Sequence, residues 1–136
     1  MLNTGGLILV NFNGFMSGEI GKPGRSVYMT LRAAGLDTKI LPTPGTEDQR
    51  NTLFVASAGP EDYTTLRFPL QRLGKAVDMD SLFIDSTTLH LENAIVFVDD
   101  KPMLERMNTG AAGMWRKAYN QTYTRLFVER GIPLFQ

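Results

Sequence analysis

The first feature of the chain is a short apolar run close to Met1. Gly5 and Gly6 are followed by Leu7–Phe12, in which Asn11 is the one polar residue. A nearly continuous apolar run bounded by glycine is typical of a β-strand buried on both faces. Such a strand lies inside a sheet and has a neighbour on each side. We therefore predict that the sequence begins in the middle of a fold.

One helix and two further strands are predicted after this run. A loop over residues 13–24 carries four glycines and a proline. Apolar residues at helical spacing predict a helix over 26–34, with Gly35 as its C-terminal cap. Residues 38–41 and 50–58 predict strands, and the short polar connection between them suits a hairpin. A parallel pair of strands joined by a helix is thus followed by one antiparallel strand.

The second half of the chain is predicted to be helical and to pack on the sheet. Leucines at helical spacing predict a helix over 61–73. Residues 79–91 are ambiguous, because an apolar stretch is followed by two threonines, which favour extended structure. An apolar run over 94–98 ends in the acidic pair that precedes Lys101 and Pro102. Proline after acidic residues is a good helix start, so we expect a helix that carries the aromatic-rich tail.

Charge and composition exclude several classes of function. Fourteen basic and fourteen acidic residues leave no formal net charge, which removes the usual reason to expect binding to nucleic acid or to a membrane surface. No apolar run approaches the roughly 18–20 residues of a membrane span, and no basic segment opens a secretory signal. The absence of cysteine and the single histidine, His90, predict no metal site. A cytoplasmic location is the default expectation.

The first sixty residues resemble part of a known fold. Residues 5–11 resemble the glycine-glycine-hydrophobic segment that opens the fifth strand of class I methyltransferase-like domains. The helix over 25–35 and the strands over 38–41 and 51–57 resemble the remaining helix and the terminal reversed hairpin of that fold.

The tail resembles one family with that fold. Residues 98–105, Val-Asp-Asp-Lys-Pro-Met-Leu-Glu, are similar to the "(T)DD-x-P-x-x-E" segment near the end of many spermidine-synthase-like proteins. The aromatic-rich stretch 115–119 also resembles those proteins. The order of the segments along the chain carries most of the resemblance to the spermidine synthase-like (aminopropyltransferase) family.

The resemblance implies an α/β fold, the C-terminal half of a class I methyltransferase-like Rossmann fold with a partial mixed sheet, a terminal antiparallel hairpin and a C-terminal helical tail. Residues 1–60 would supply the sheet and residues 61–136 the helical region, within a single domain. The parent enzyme would transfer an aminopropyl group from decarboxylated S-adenosylmethionine to an amine.

In such enzymes the adenosyl group and the catalytic carboxylates lie on the first, second and fourth strands, which precede the matched region. The resemblance therefore implies no catalytic residue and no bound cofactor in this chain alone. A non-catalytic interaction or regulatory domain, and part of a small-molecule methyltransferase, are the alternatives.

Candidate substrate-binding residues begin directly after the first strand. Such enzymes handle the diamine there, and this chain carries Asn11 and Asn13. Asparagine amides can hydrogen-bond an amine but supply no negative charge, which argues against classical putrescine specificity. Glu19 could line a ligand cleft at the carboxyl ends of the strands, or it could be a surface carboxylate.

The other candidates lie where the tail begins. Asp99 and Asp100 could attract the ammonium group of a polyamine, or one could cap the helix that starts at Pro102 while the other is solvated. Glu105 could complete an acidic cluster with this pair or could form a capping box.

The apolar character of the first predicted strand also indicates that the chain has a partner. Its edge and apolar face need covering, and we expect the tail helices or a second copy of the chain to cover them. A homodimer or a missing N-terminal half is thus the expected partner.

Trp115, Tyr119 and Tyr123 recur every four residues and share one helical face. That row could dock on the domain or could stack on nucleic acid, and docking is the preferred interpretation because the basic excess nearby is modest.

Overall fold

The computed structural model describes Asn3 and the ranges 5–59, 80–99 and 103–131. These residues form a mixed α/β structure. In chain order its elements are β1 (Leu7–Phe12), α1 (Lys22–Ala33), β2 (Asp37–Pro42), β3 (Thr52–Ser57) and α2 (Met103–Arg130). The helix predicted over 61–73, Asp100 and the helix start at Pro102 lie outside the described residues.

The three strands form one sheet in the order β1-β3-β2. The central strand β3 is antiparallel to both neighbours, so that Val55 pairs with Leu9 on one side and with Lys39 on the other. β1 and β2 therefore point in the same direction, as predicted, but they are not adjacent, because β3 lies between them. The described sheet is thus antiparallel in both of its pairings and is not the mixed sheet that was predicted. The predicted hairpin between β2 and β3 is confirmed, and the backbone N–H of Thr43 closes it by donating to the carbonyl of Asn51 at 2.9 Å.

The prediction that β1 is buried on both faces is wrong for the described residues. Burial alternates along the strand, so that Phe12 is buried while Leu7 and Leu9 are 46% and 64% exposed. Alternate residues of a strand share a face, and the register places Leu53 and Val55 beside them. We call the face formed by Leu7, Leu9, Leu53 and Val55 the outer face. Helix α2 leaves Leu7 and Leu9 exposed, and their covering by a second copy of the chain stays a prediction.

The opposite face of the sheet packs against α1 and forms the hydrophobic core. Phe54 on the central strand and Ile40 on β2 are 0% and 1% exposed. The rings of Phe12 and Phe54 lie 6.1 Å apart and are tilted by 59°, a favourable arrangement for aromatic rings. The other buried members of this cluster are Met16, Val27 and Tyr28.

Helix α1 begins earlier than the helical spacing predicted and ends where predicted. Pro23 occupies its first turn, where a missing backbone N–H costs nothing. At the other end, Gly35 adopts φ 79°, which favours glycine. The N–H of Gly35 donates to the carbonyl of Arg32 at 3.0 Å, and that of Leu36 donates to Leu31 at 3.2 Å. These two bonds form a Schellman motif, so the predicted cap is confirmed.

Residues 80–99 correct the prediction of a helical second half, because apart from two single 3-10 turns they are irregular. The segment lies against both β2 and α1. The N–H of Ile84 donates to the carbonyl of Ile40 at 2.8 Å, and the N–H of Phe97 donates to the hydroxyl of Thr30 at 2.8 Å. The carbonyl of Ile40 on β2 and the hydroxyl of Thr30 on α1 thus provide acceptors for two backbone N–H groups of this irregular segment. Its apolar side chains that pack on the core are Ile84, Leu89, Leu91 and Phe97.

One of the two 3-10 turns, Ser86–Thr88, is capped by Asp85. The hydroxyl and the backbone N–H of Thr87 donate to the carboxylate of Asp85 at 2.7 and 2.9 Å. Both bonds favour the ionised form, the hydroxyl most, and they hold the pKa of Asp85 below its ordinary value.

Helix α2 is 28 residues long and contacts the rest of the structure over part of its length. Ala111 is its one buried residue among those described. The amide of Asn108 donates to the carbonyl of Asn13 at 3.4 Å, and the amide of Gln49 donates to the hydroxyl of Thr122 at 3.2 Å. The helix thus touches the segments that follow β1 and β2. No helix of the described residues is long and apolar enough to cross a membrane.

The contrast between the two faces of the sheet gives a stability prediction. Phe54→Ala should lower the free energy of unfolding by about 3–5 kcal/mol, because it removes a fully buried ring and leaves a cavity. Leu9→Ala, on the outer face, should cost less than about 1 kcal/mol in a monomeric sample, since that side chain is largely solvated. Urea unfolding followed by circular dichroism measures both. Equal losses would contradict this assignment of the core.

Candidate cleft at the carboxyl ends of β1 and β2

A cleft of about 510 Å³ lies where β1 and β2 end. Because the two strands point in the same direction, their carboxyl ends meet at one edge of the sheet, the usual place for ligands in α/β folds. The loop after β1, the β2–β3 connection and residues 84–93 form its walls. Its polar and charged lining residues are Ser17, Glu19, Arg25, Glu47, Arg50, Thr88, His90, Glu92 and Asn93.

Arg25 on α1 organises the floor of the cleft. Its side chain is 3% exposed, and it donates from Nη1 to the carbonyls of Met16 at 2.6 Å and Gly18 at 2.9 Å. Nη2 donates to Oδ1 of Asn93 at 2.9 Å. One guanidinium group therefore joins the loop after β1 to the segment that wraps α1. The planar fork of donors on arginine suits this use, and a lysine ammonium could not reproduce it.

The loop also needs glycine to approach α1. A Cβ added to Gly24 would lie 2.6 Å from Sδ of Met16 and 2.6 Å from the carbonyl oxygen of Phe15. Real Cβ atoms do not come this close to a backbone oxygen, so an alanine at Gly24 would displace the loop. The absence of a side chain at Gly24 thus allows the loop to pack closely against α1.

Glu47 holds the loop from the other side of the cleft. Its carboxylate accepts from the backbone N–H groups of Met16 at 3.3 Å and Ser17 at 3.4 Å, and from the Ser17 hydroxyl at 3.1 Å. Nη2 of Arg50 lies 3.7 Å from Oε1 of Glu47. The β2–β3 connection is thus tied to the loop after β1 by a carboxylate that accepts from several donors.

Asn93 separates two opposite charges. While its Oδ1 accepts from Arg25, its Nδ2 donates to Oε1 of Glu19 at 3.4 Å. Within the described residues, neither Arg25 nor Glu19 has an oppositely charged partner within 4.0 Å. In the cleft, the buried guanidinium group of Arg25 and the exposed carboxylate of Glu19 therefore lie on opposite sides of the side-chain amide of Asn93.

His90 and Glu92 lie at the solvent edge of the cleft. Nδ1 of His90 is 3.8 Å from Oε1 of Glu92, and the two side chains are 89% and 80% exposed. An ion pair this exposed contributes little. No carboxylate of the described residues lies within hydrogen-bond distance of the imidazole, so the geometry of His90 is not that of a positioned general base.

The predicted site residues that the structure describes do not come together. Among those described, Glu19 alone lines the cleft. Asn11 and Asn13 are exposed, and Asn13 contributes its backbone carbonyl to a bond with Asn108. Asp99 is exposed in a turn, and Asp100 lies outside the described residues. Glu105 is exposed on the first turn of α2, where its carbonyl accepts from the hydroxyl of Thr109 at 3.0 Å.

Sequence reasoning missed the residues that shape the cleft. Arg25 carried one signal, because it lies one helical turn before Tyr28, an apolar position of the predicted helix. A charge on the apolar side of an amphipathic helix needs buried partners. Glu47 and Arg50 lie in a polar connection and gave no signal, since their partners are distant in sequence.

The aromatic row of α2 is confirmed as one face of the helix. The rings of Trp115 and Tyr119 stack with centroids 5.1 Å apart, and those of Tyr119 and Tyr123 are 4.1 Å apart. A hydrogen bond with the side chain of Tyr123, aided by partial desolvation, raises the pKa of Tyr119 above its ordinary value. Trp115 and Tyr123 are half-buried and Tyr119 is 40% exposed, so docking of the row is incomplete.

The described residues contain no group of three or more histidine, cysteine, aspartate or glutamate side chains that could hold a metal ion. No protein-family model, curated protein or solved structure matches this chain. A functional assignment therefore depends on the fold and on the chemistry of the cleft.

The hydrogen bonds of Glu47 give a prediction about loop order. Glu47→Ala removes every side-chain acceptor of the Met16 and Ser17 amides, so their hydrogen exchange should quicken by about tenfold, equivalent to roughly 1.4 kcal/mol. Asp48→Ala is the matched control, because the carboxylate of Asp48 accepts from Thr46 within its own turn. Exchange measured by NMR should be unchanged at Met16 and Ser17 in that control. Equal rates in the two variants would show that Glu47 does not hold the loop.

Proposed function

We propose that this chain is the C-terminal half of a class I methyltransferase-like domain from a spermidine synthase-like aminopropyltransferase. The observation that carries the proposal is the order and direction of β1, α1, β2 and β3. The resemblance implies, for the end of that sheet, a strand, a helix and a parallel strand that turns back into one antiparallel strand, and the described elements have this order and direction. The cleft at the carboxyl ends of β1 and β2 supports it, because ligands of such folds bind at that edge.

The proposed parent reaction moves an aminopropyl group between two substrates. The nitrogen of the acceptor amine forms a bond to the terminal methylene carbon of the aminopropyl group of decarboxylated S-adenosylmethionine. The bond from that carbon to sulfur breaks, methylthioadenosine leaves, and the amine gives up one proton. In this reaction, the role that we assign to the chain is binding of the acceptor amine in the cleft. The adenosyl pocket and the base belong to strands that the resemblance places elsewhere in the parent domain.

A sequence observation and a binding measurement test this assignment. The DNA directly upstream of the Met1 codon should encode a glycine-rich loop and a strand that ends in acidic residues. Calorimetric titration of the chain alone should show no saturable binding of decarboxylated S-adenosylmethionine or methylthioadenosine. Co-expression with the upstream product should give methylthioadenosine binding and aminopropyl transfer. Micromolar binding of the nucleoside by the chain alone would overturn the assignment.

A second candidate function, an interaction domain, is favoured by the outer face. Within the described residues β1 is paired on one edge, by β3, and Leu7 and Leu9 are exposed beside that pairing. The strand contains no charged residue and no proline, the devices that usually protect an edge. Two copies could pair antiparallel along β1 about a two-fold axis, because such an interface is self-complementary. We propose a homodimer through β1 and the outer face.

The oligomeric state tests this second candidate. The chain should sediment as a dimer at micromolar concentration, and Leu9→Lys should convert it to a monomer, because the substitution places a charge within the interface. Val128→Lys is the matched control: Val128 is 76% exposed on α2, and its substitution should leave the dimer intact. A monomeric unsubstituted chain, or a dimer insensitive to Leu9→Lys, would contradict a homodimer through the outer face.

A further inference from the structure

The cleft holds a cation whose charge the described protein does not balance. Arg25 is 3% exposed and uses its donors on two carbonyls and one amide, while its Nε has no partner. No described carboxylate lies within 4.0 Å of it. Burying a charge without a counter-ion is unfavourable, so the site is suited to receive an anionic group.

Arg50 adds a second cation with spare donors. Its Nη1 donates to the carbonyl of Gly45 at the long distance of 3.4 Å, and its Nη2 is 3.7 Å from Glu47. Its Nε is buried without a partner. Glu47 is shared with the Met16 and Ser17 amides, so it neutralises Arg50 incompletely. Arginine binds carboxylates through paired donors, and Arg50 retains that capacity.

The other side of the cleft is acidic. Glu19 is exposed, lines the cleft and accepts one long bond, from Asn93 at 3.4 Å. Glu92 lines the same side and has His90 as its only described partner. An ammonium group placed beside Glu19 would be separated from the guanidinium group of Arg25 by the side-chain amide of Asn93. The two charges of a zwitterion thus have counterparts within one cavity.

We propose that the cleft binds a zwitterionic amine of the α-amino acid type, with its carboxylate toward Arg25 and Arg50 and an ammonium group on Glu19. The cavity of about 510 Å³ is within the size range of small-molecule sites. The role of this ligand as an aminopropyl acceptor rests on the proposed function, whereas its binding does not.

The test uses two probes that differ only in a carboxylate. Titration of the full chain with L-ornithine and with putrescine, followed by NMR and calorimetry, should give at least about tenfold tighter binding of ornithine, because only ornithine has an anion for the arginines. Arg50→Gln should abolish that preference, and Glu19→Gln should weaken both ligands. Arg32→Gln is the matched control, since Arg32 is paired with Asp37 outside the cleft and its loss should change neither affinity.

The outcomes separate this inference from the proposed function. Putrescine binding as tight as that of ornithine, no saturable ornithine binding, or an ornithine preference that survives Arg50→Gln would overturn the zwitterion site. Selective ornithine binding without aminopropyl transfer, in the presence of an adenosyl-binding half, would overturn the proposed reaction and leave the site standing. Arg25→Gln is not used, because loss of its bonds to Met16 and Gly18 could unfold the loop.

Discussion

The buried guanidinium of Arg25 is the interaction on which the arrangement around the cleft depends. It comes from the first turns of α1, fixes the loop after β1 through two carbonyls, and reaches Asn93 in the segment that wraps the helix. Arg25 and Asn93 are 68 positions apart along the chain. Hydrogen bonds to a charged group are among the stronger ones in proteins, and here three of them converge on one side chain between two irregular segments.

The sheet places the cleft where β1 and β2 end. Its inner face is filled by α1 and by apolar side chains of residues 80–99. At the carboxyl ends of β1 and β2 the chain turns, and both turns supply polar and charged side chains to the cleft. Glu47 from one turn and Arg25 beneath the other draw these segments together, so the walls of the cleft are charged while its base rests on the core.

The sequence predicted the elements whose signals are local. Strands β1, β2 and β3, the hairpin and the Gly35 cap follow from apolar runs and turn residues read over a few positions. The burial of β1 was predicted wrongly, because an apolar run does not tell whether a second layer covers the outer face. The irregular path of residues 80–99 was missed, since its bonds to Ser26 and Thr30 are long-range.

The candidate site also shows that local sequence patterns do not predict contacts between residues that are distant along the chain. The acidic pair at 99 and 100 was conspicuous in the sequence because its members are adjacent, yet Asp99 is solvated and does not line the cleft. Glu19 was predicted from its position after a strand, and that position does place it at the cleft. What makes Glu19 chemically useful is its distance from Arg25, which is set by Asn93, a residue in a segment that no local pattern assigned to the site. A pairing of opposite charges across one amide exists only after α1, the loop and the wrapping segment have packed.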